Sequence, residues 1–474
     1  MLIENEDTSQ FTIRTSDRRT FRRCLRKWDW QSSLRQNLRH SGTEQNINFW
    51  FGSAIHFCME DYEGLNRFED PRRALYAYYH AFSPDELPLG AEMHYSLGIS
   101  MLTYYMTWKE KHNKQTEFAT AWLNPKTYEP MLPGAPGAIP AVEIAFYIPL
   151  HVYTIVDADD NQIIDSFFYD GASTEDLQIF LAQHPEVPQD WTPTSSSEYC
   201  YVLGETKHLV KVIGIYYHGT IDRIVVDRYG RYWLWDYKTA KKADTAKLAT
   251  DDQVSAYLWG AAKLFPFKVY GFVYLQMTKE KIKEPKRLKS GELSVDKRQK
   301  TTYSLLRQAI LEDYETVQRA PTKLVQFLNF MAEQEEPEGD RFIRWDFIKR
   351  TPEQIKTTEE NIYGELADML NPNKVCYPTP TRDCSWDCPF REACILTDMK
   401  DDYALAEFFR EFEARPHEEN DNEDEWRKHI EWPDAEHPLV PMETVMNFDS
   451  SLVISEADED EPANGFEFYY EEEC

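Results

Sequence analysis

A chain of 474 residues is too long for one small core and predicts two or three subdomains, or one elaborated domain with insertions and a tail. It has no run of about 18 apolar residues, and its start, MLIENEDTSQF, is acidic where a secretory signal is basic and then apolar; a cytoplasmic protein without a membrane segment is expected. The net charge of −30 would argue against a polyanionic partner, but 22 acidic residues against three basic ones lie from Glu411 onward, which leaves about −11 for the rest.

Apolar residues recur at helical spacing after Ser16 and again through NFWFGSAIHFCMEDYEGL, which predicts two helices over much of 16–65. Residues 70–125 read as further helix. The stretch AVEIAFYIPL alternates as a strand, and 150–200 are polar, Pro-containing and loop-like. HLVKVIGIYYHGTIDRIVVDRYGRYWLWDYKTA predicts two or three strands, with a hairpin at DRYGR. A helix over DDQVSAYLWGAAKLF and a strand over KVYGFVYLQM complete a crossover unit with parallel strands. Residues 303–335 and 353–370 read as helix, and so does DYALAEFFREFEA before the tail. The tail itself (EENDNEDEW, EADEDEP, YYEEEC) has the composition of a weakly structured segment, either a solubilising extension or a mimic of a polyanion. Two stretches are basic instead, the Arg-rich Ser16–His40 and residues 279–300, and both are candidate phosphate-contacting surfaces.

The chemistry lies in the central strands. Asp222 in GTIDR, with Asp236 and Lys238 in WDYKT, supplies two carboxylates and a lysine, the set that metal-assisted phosphodiester cleavage requires. Asp236 and Lys238, two apart on a strand, face the same side. Acid, any residue, Lys occurs four times, ending at Lys207, Lys238, Lys286 and Lys400. Only the copy at Lys238 ends an apolar strand and precedes a helix with Gln253 and Tyr257 four apart on one face; Glu205 to Lys207 is the serious decoy. TRDCSWDCPFREACIL packs Cys384, Cys388 and Cys394 around a Pro, and with a fourth thiolate these suit either zinc or a cubane iron-sulfur cluster. Cys58 and Cys200 read as small buried hydrophobes.

In order and kind, GSAIHFCME (Gly52, His56, Glu60), GTIDR, DYK and QVSAY resemble the RecB-like branch of the PD-(D/E)XK nucleases. FRRCLRKW and CPFREAC resemble the cysteines of its iron-sulfur members, which include CRISPR-associated exonucleases, the AddB helicase-nuclease subunit and many phage exonucleases. The resemblance implies that His56, Asp222 and Asp236 bind Mg or Mn with the backbone carbonyl of Tyr237. It implies that Lys238 serves the hydrolytic water, and that Gln253 and Tyr257 line the DNA path or brace the site. Glu60, on the face of His56, could equally pair with a base. Cys24, Cys384, Cys388 and Cys394 would hold a [4Fe-4S] cluster, with zinc as the alternative. The family's late cluster usually begins C-x-x-C, whereas three residues separate Cys384 and Cys388 here, and Cys376 is an available substitute for Cys24.

The expected architecture is α/β, a PD-(D/E)XK restriction-endonuclease-like core with helical insertions and a four-cysteine iron-sulfur staple. Residues 1–140 would form a helical region with Cys24 and the His motif, 141–280 the nuclease core, 281–400 a basic loop, helices and the cysteine cluster, and 401–474 a helix and acidic tail. The implied activity is metal-dependent exonucleolytic hydrolysis of DNA, single-stranded or with free ends, in recombination, replication or repair, with a phage origin. No G-x-x-x-x-G-K-[ST] phosphate loop occurs, so unwinding would need a helicase or recombination partner. The competing readings are a catalytically silent DNA-binding or adaptor protein on the same fold, and a zinc-stapled regulatory protein.

Overall fold

The structure, a computed structural model, describes residues 11–40, 46–65, 70–116, 118–157, 163–168, 182, 199–203, 206–334, 341–371, 374–385, 388–414 and 427. Two compact units are distinguished, residues 1–281 with 329–433, and residues 282–328 with 434–474.

In chain order the elements begin with β1 (Phe11–Ile13), α1 (Thr15–Arg23), α2 (Leu25–Gln31) and β2 (Leu38–His40). Next come α3 (Ile47–Glu60), which runs into a π turn at Asp61–Leu65, then α4 (Pro71–His80) and α5 (Ala91–Thr116). The strands β3 (Ala119–Thr120), β4 (Trp122–Leu123), β5 (Ile139–Pro140), β6 (Val142–Asp157), β7 (Ile163–Phe168), β8 (Tyr199–Leu203), β9 (Thr206–Val226) and β10 (Tyr232–Ala240) follow. After them stand α6 (Asp252–Leu264), β11 (Val269–Thr278), α7 (Tyr303–Tyr314), α8 (Thr322–Glu333), β12 (Ile343–Ile348), α9 (Pro352–Leu370), α10 (Arg391–Met399), α11 (Asp402–Phe409) and β13 (Phe412–Ala414).

A mixed sheet in the order β12-β11-β10-β9-β6-β7 is the centre of the first unit, with β1, β3 and β8 also paired to β9. The DRYGR hairpin forms, with Gly230 at φ +73° in its turn, a left-handed conformation that glycine adopts without penalty. The strands β10 and β11 are parallel and joined through α6, as the strand-helix-strand pattern predicts. Alternation along β10 sends Leu234 into one core with Trp259 of α6, Phe272 of β11 and Ile362 of α9. The intervening Trp235 and Tyr237 face Tyr105 and Trp345, and Tyr105 stacks on Trp108 of α5. Asp236 and Lys238 share the face of Leu234 and therefore look toward α6.

Four expectations are corrected. The segment from 150 onward is not loop throughout, because β9 is one 21-residue strand that carries β6 as far as Asp157 and pairs β7 through it; cross-strand pairing overrides polar composition. Helix ends at Thr116, with strands at 119–120 and 122–123. The span 303–335 holds two helices, α7 ending on Glu315 at φ +62° and α8 opening after Pro321. The helix over DYALAEFFREFEA stops at Phe409, since Phe412–Ala414 pairs with β2.

Candidate active site

The site is a fork in the sheet. Only Tyr232–Trp235 of β10 pair with Val226–Arg223 of β9, after which β10 continues with β11 alone. At the divergence the Tyr237 N–H donates to Asp222 Oδ2 at 2.8 Å, so a side chain takes over from the ladder. On the other edge of β9, Val142 faces Arg223 and Ile144 faces Ile221, which sets Glu143 beside Asp222. Glu143 has φ +48°, a conformation rare for a residue with a Cβ and typical of functional positions.

The helix α3 starts on Asn46, whose side chain accepts the Asn48 N–H, and brings His56 to the fork. His56 Nδ1 lies 3.4 Å from Asp222 Oδ2. One ligand atom each from His56, Glu143 and Asp222 fall within 4.8 Å of one another. Burial, reinforced by the charge of Lys238, lowers the His56 pKa to about 4, so the imidazole is neutral and its lone pair free to bind a cation. Burial likewise raises the carboxyls of Asp222 and Asp236 to about 6 against the pull of Lys238. One imidazole nitrogen and several carboxylate oxygens suit Mn or Mg. Asp236 Oδ2 also fits a cation, because it is buried and accepts no hydrogen bond although the Lys238 ammonium is 3.0 Å away.

Asp236, 1% exposed, accepts from Lys238 Nζ at 3.0 Å and from Gln253 Nε2 at 3.3 Å through Oδ1. Burial alone would lower the Lys238 pKa, but Asp236 and Asp222 outweigh it and keep the ammonium charged. Tyr257, one turn beyond Gln253 on α6, packs edge-on against Phe146 at 5.7 Å. The glycine of GTIDR has a steric reason, since a Cβ on Gly219 would meet Phe146 at 2.6 Å and Tyr257 at 3.1 Å.

Behind the fork a buried network fixes α3 to β9. Glu63, on the π turn, takes Lys109 Nζ at 2.8 Å, Arg223 at 3.0 Å and the Tyr105 hydroxyl at 2.7 Å. Arg223 also donates to Thr120 and to the Tyr237 hydroxyl, so it touches both prongs of the fork. Burial would raise the Glu63 pKa, yet Arg223 and Lys109 hold it below its usual value. Lys109 moves down as well, first through burial and then through the Arg223 charge, although Glu63 pulls it up.

His56, Asp222, Asp236, Tyr237, Lys238, Gln253 and Tyr257 are thus neighbours in space. Glu60 pairs with a base, Arg427, at 2.8 and 3.1 Å. Glu143 and Glu63 are the residues sequence reasoning missed; a lone acid inside the apolar AVEIAFYIPL was the available signal for Glu143. Of the decoy, Glu205 lies outside the described residues.

The Arg-rich segment is largely consumed by structure. Arg18, fully buried, meets Glu365 at 2.6 Å and Asp252 at 3.3 Å, Arg19 meets Asp251, Arg22 meets Asp252, and Arg35 meets Asp29. The pairs of Arg18, Arg19 and Arg22 tie α1 to α6 and its N-cap and to α9. In the second unit, Arg287 makes a two-pronged pair with Asp313.

Cys24 caps α2, accepting the Lys27 N–H. Two residues on, Arg26 donates to Cys394 Sγ at 3.2 Å and pairs with Asp398. Cys388 and Cys394 pack with Trp30, Phe390 and Phe412. Burial raises the Cys388 pKa, and Cys384 and Cys24 lie near enough to push it further. Cys376 sits apart, against the main core and Arg35. Among the described residues no three cysteines bring their sulfurs within 4.8 Å of one another.

Residues 172–395 match the PD-(D/E)XK nuclease superfamily. The matched stretch contains Asp222, Asp236, Lys238, Gln253, Tyr257 and the three late cysteines, and the mixed α/β sheet is consistent with that fold. The match implies a metal-dependent nuclease, a hydrolase with a nucleic-acid substrate. No curated protein matches the chain. No helix among the described residues is long and apolar enough to cross a membrane.

Proposed function

We propose that the chain is a metal-dependent DNA exonuclease of the RecB-like type, which hydrolyses phosphodiester bonds in recombination, replication or repair, on phage DNA in the host cytoplasm. The observation that carries this reading is the meeting of His56, Glu143 and Asp222 at the fork, beside Asp236 and Lys238.

His56, Asp222 and Asp236 would hold Mg or Mn with the Tyr237 carbonyl, and Glu143 joins them as a further oxygen ligand. When bound, such an ion polarises a phosphoryl oxygen and makes a coordinated water more acidic. Lys238, a charged ammonium at the mouth of the site, orients that water and stabilises charge building on the phosphate. Gln253 fixes the Asp236 carboxylate, and Tyr257 braces the wall through Phe146. Cys24, Cys384, Cys388 and Cys394 would hold a [4Fe-4S] cluster that clamps α2 to α10. The convergence of Cys24, Cys384 and Cys388, with Cys394 bonded to Arg26, supports that set over one including Cys376. Unwinding would fall to a helicase or recombination partner.

Incubation of anaerobically purified protein with linear and covalently closed circular DNA, single- and double-stranded, tests the reading. Linear DNA is degraded in Mg or Mn and spared on chelation, while closed circles persist. Cutting of circles makes the enzyme an endonuclease, and inertness toward all substrates supports the silent adaptor.

A further inference from the structure

Two lysines at the end of the sheet have no carboxylate partner among the described residues. Ala240 of β10 and Thr278 of β11 are in register, and the Lys279 N–H donates to the Ala240 carbonyl at 2.7 Å, so Lys241 and Lys279 leave adjacent parallel strands side by side. Lys279 Nζ donates to Asn48 Oδ1 at 3.0 Å and lies over the Phe51 ring at 5.5 Å. Lys241 is exposed, and among the described residues neither lysine makes an ion pair. The arrangement contrasts with the Arg-rich α1, whose cations are matched to Asp251, Asp252 and Glu365. Phe49, in the first turn of α3, presents its ring to solvent at 75% exposure.

Asn48, Phe49 and Phe51 stand on the helix that carries His56. Asn48 precedes His56 by eight residues, about 12 Å along the helix, or roughly three to four stacked nucleotides of one strand. The helix α3 therefore runs from Lys279, at the end of β11, to Asp222 on β9, with the metal-ligating group at its far end. We infer that Lys241 and Lys279 form a phosphate subsite for the same nucleic-acid strand, three to four nucleotides from the bond that is cut, with Phe49 as a stacking surface for a base. The inference rests on the proposed nuclease reading. Two neighbouring cations without a counter-ion repel one another, and burial followed by the charge of Lys241 lowers the Lys279 pKa. A phosphate diester supplies the missing charge, and the exposed Phe49 ring, one residue along α3 from the Lys279 partner Asn48, suits a sequence-tolerant single strand.

Affinity for a labelled single-stranded oligonucleotide, measured against salt in a Lys238→Ala background that leaves the strand uncut, tests this. Loss of either lysine, as Lys241→Ala or Lys279→Ala, lowers the steepness of log K against log salt by about 0.7. Phe49→Ala weakens binding about tenfold and leaves the steepness unchanged. Lys279→Arg retains the parent slope. Lys279 also touches α3, so thermal melting accompanies each variant, and the exposed Lys241 keeps the test decisive if Lys279→Ala unfolds. Slopes equal to the parent in both lysine variants overturn the subsite alone. A parent that binds no nucleic acid overturns the nuclease reading, and the subsite with it.

Discussion

Asp222 Oδ2 accepts the Tyr237 N–H at 2.8 Å, where the ladder between β9 and β10 ends. That bond orients one carboxylate, opens the fork that admits His56, and turns the next side chain, Lys238, back to Asp236. Metal binding should depend on it. Mn added at 100 times its dissociation constant stabilises a folded protein by about 2.7 kcal/mol. We expect such a rise in melting temperature for the wild type and its near loss in Asp222→Asn, read by calorimetry; an equal rise in both would remove Asp222 from the ligand set.

Gly219 lies under the Phe146 and Tyr257 rings. Gly219→Ala should overpack this contact and cost about 1–3 kcal/mol, seen as a lower denaturant midpoint with slower DNA degradation as Tyr257 shifts. An unaltered midpoint would show that the rings yield freely.

Glu63 links the helix of His56 to Arg223, next to Asp222. Removing one member of a buried ion pair costs roughly 3–5 kcal/mol, and Glu63→Gln should approach that loss at neutral pH. The folded pKa of Glu63 is depressed below 4.5, so its contribution is complete above pH 4.5 and disappears as pH falls through the lower folded value. The stability gap between wild type and Glu63→Gln therefore narrows in acid. A gap that stays constant down to the acid transition contradicts the pairing.

Cys388 packs with Cys394 against Trp30 and Phe390, and lies near Cys384 and Cys24. Cys388→Ala should bleach visible iron-sulfur absorption and destabilise the fold by several kcal/mol, as loss of a structural metal group commonly does, whereas Cys376→Ala should leave the colour intact. Unchanged absorption and melting in Cys388→Ala remove it from the cluster.

What could be read in advance was local. Asp236, Lys238, Gln253 and Tyr257 sit within one strand and the following helix, so periods of two and of 3.6 residues place them on shared faces. Asp222 was legible because the DRYGR turn fixes the hairpin register. Glu143 was not, because it reaches Asp222 from a strand 79 residues upstream, through pairing that no local pattern encodes. Glu63 depends on a π turn that shifts it off the helical face of His56. The Arg-rich segment misled for the same reason, since its partners Asp252 and Glu365 lie more than 200 residues away and meet it only in the fold.

The most direct test of the central claim is a time course on end-labelled linear DNA with Mn, comparing wild type with Lys238→Ala at matched folding and colour. On the proposed reading Lys238 stabilises charge that builds only as the phosphodiester is cleaved, so the variant should bind DNA yet lose degradation by at least about 100-fold. Degradation at the wild-type rate by folded Lys238→Ala would contradict the assignment of the fork as the active site.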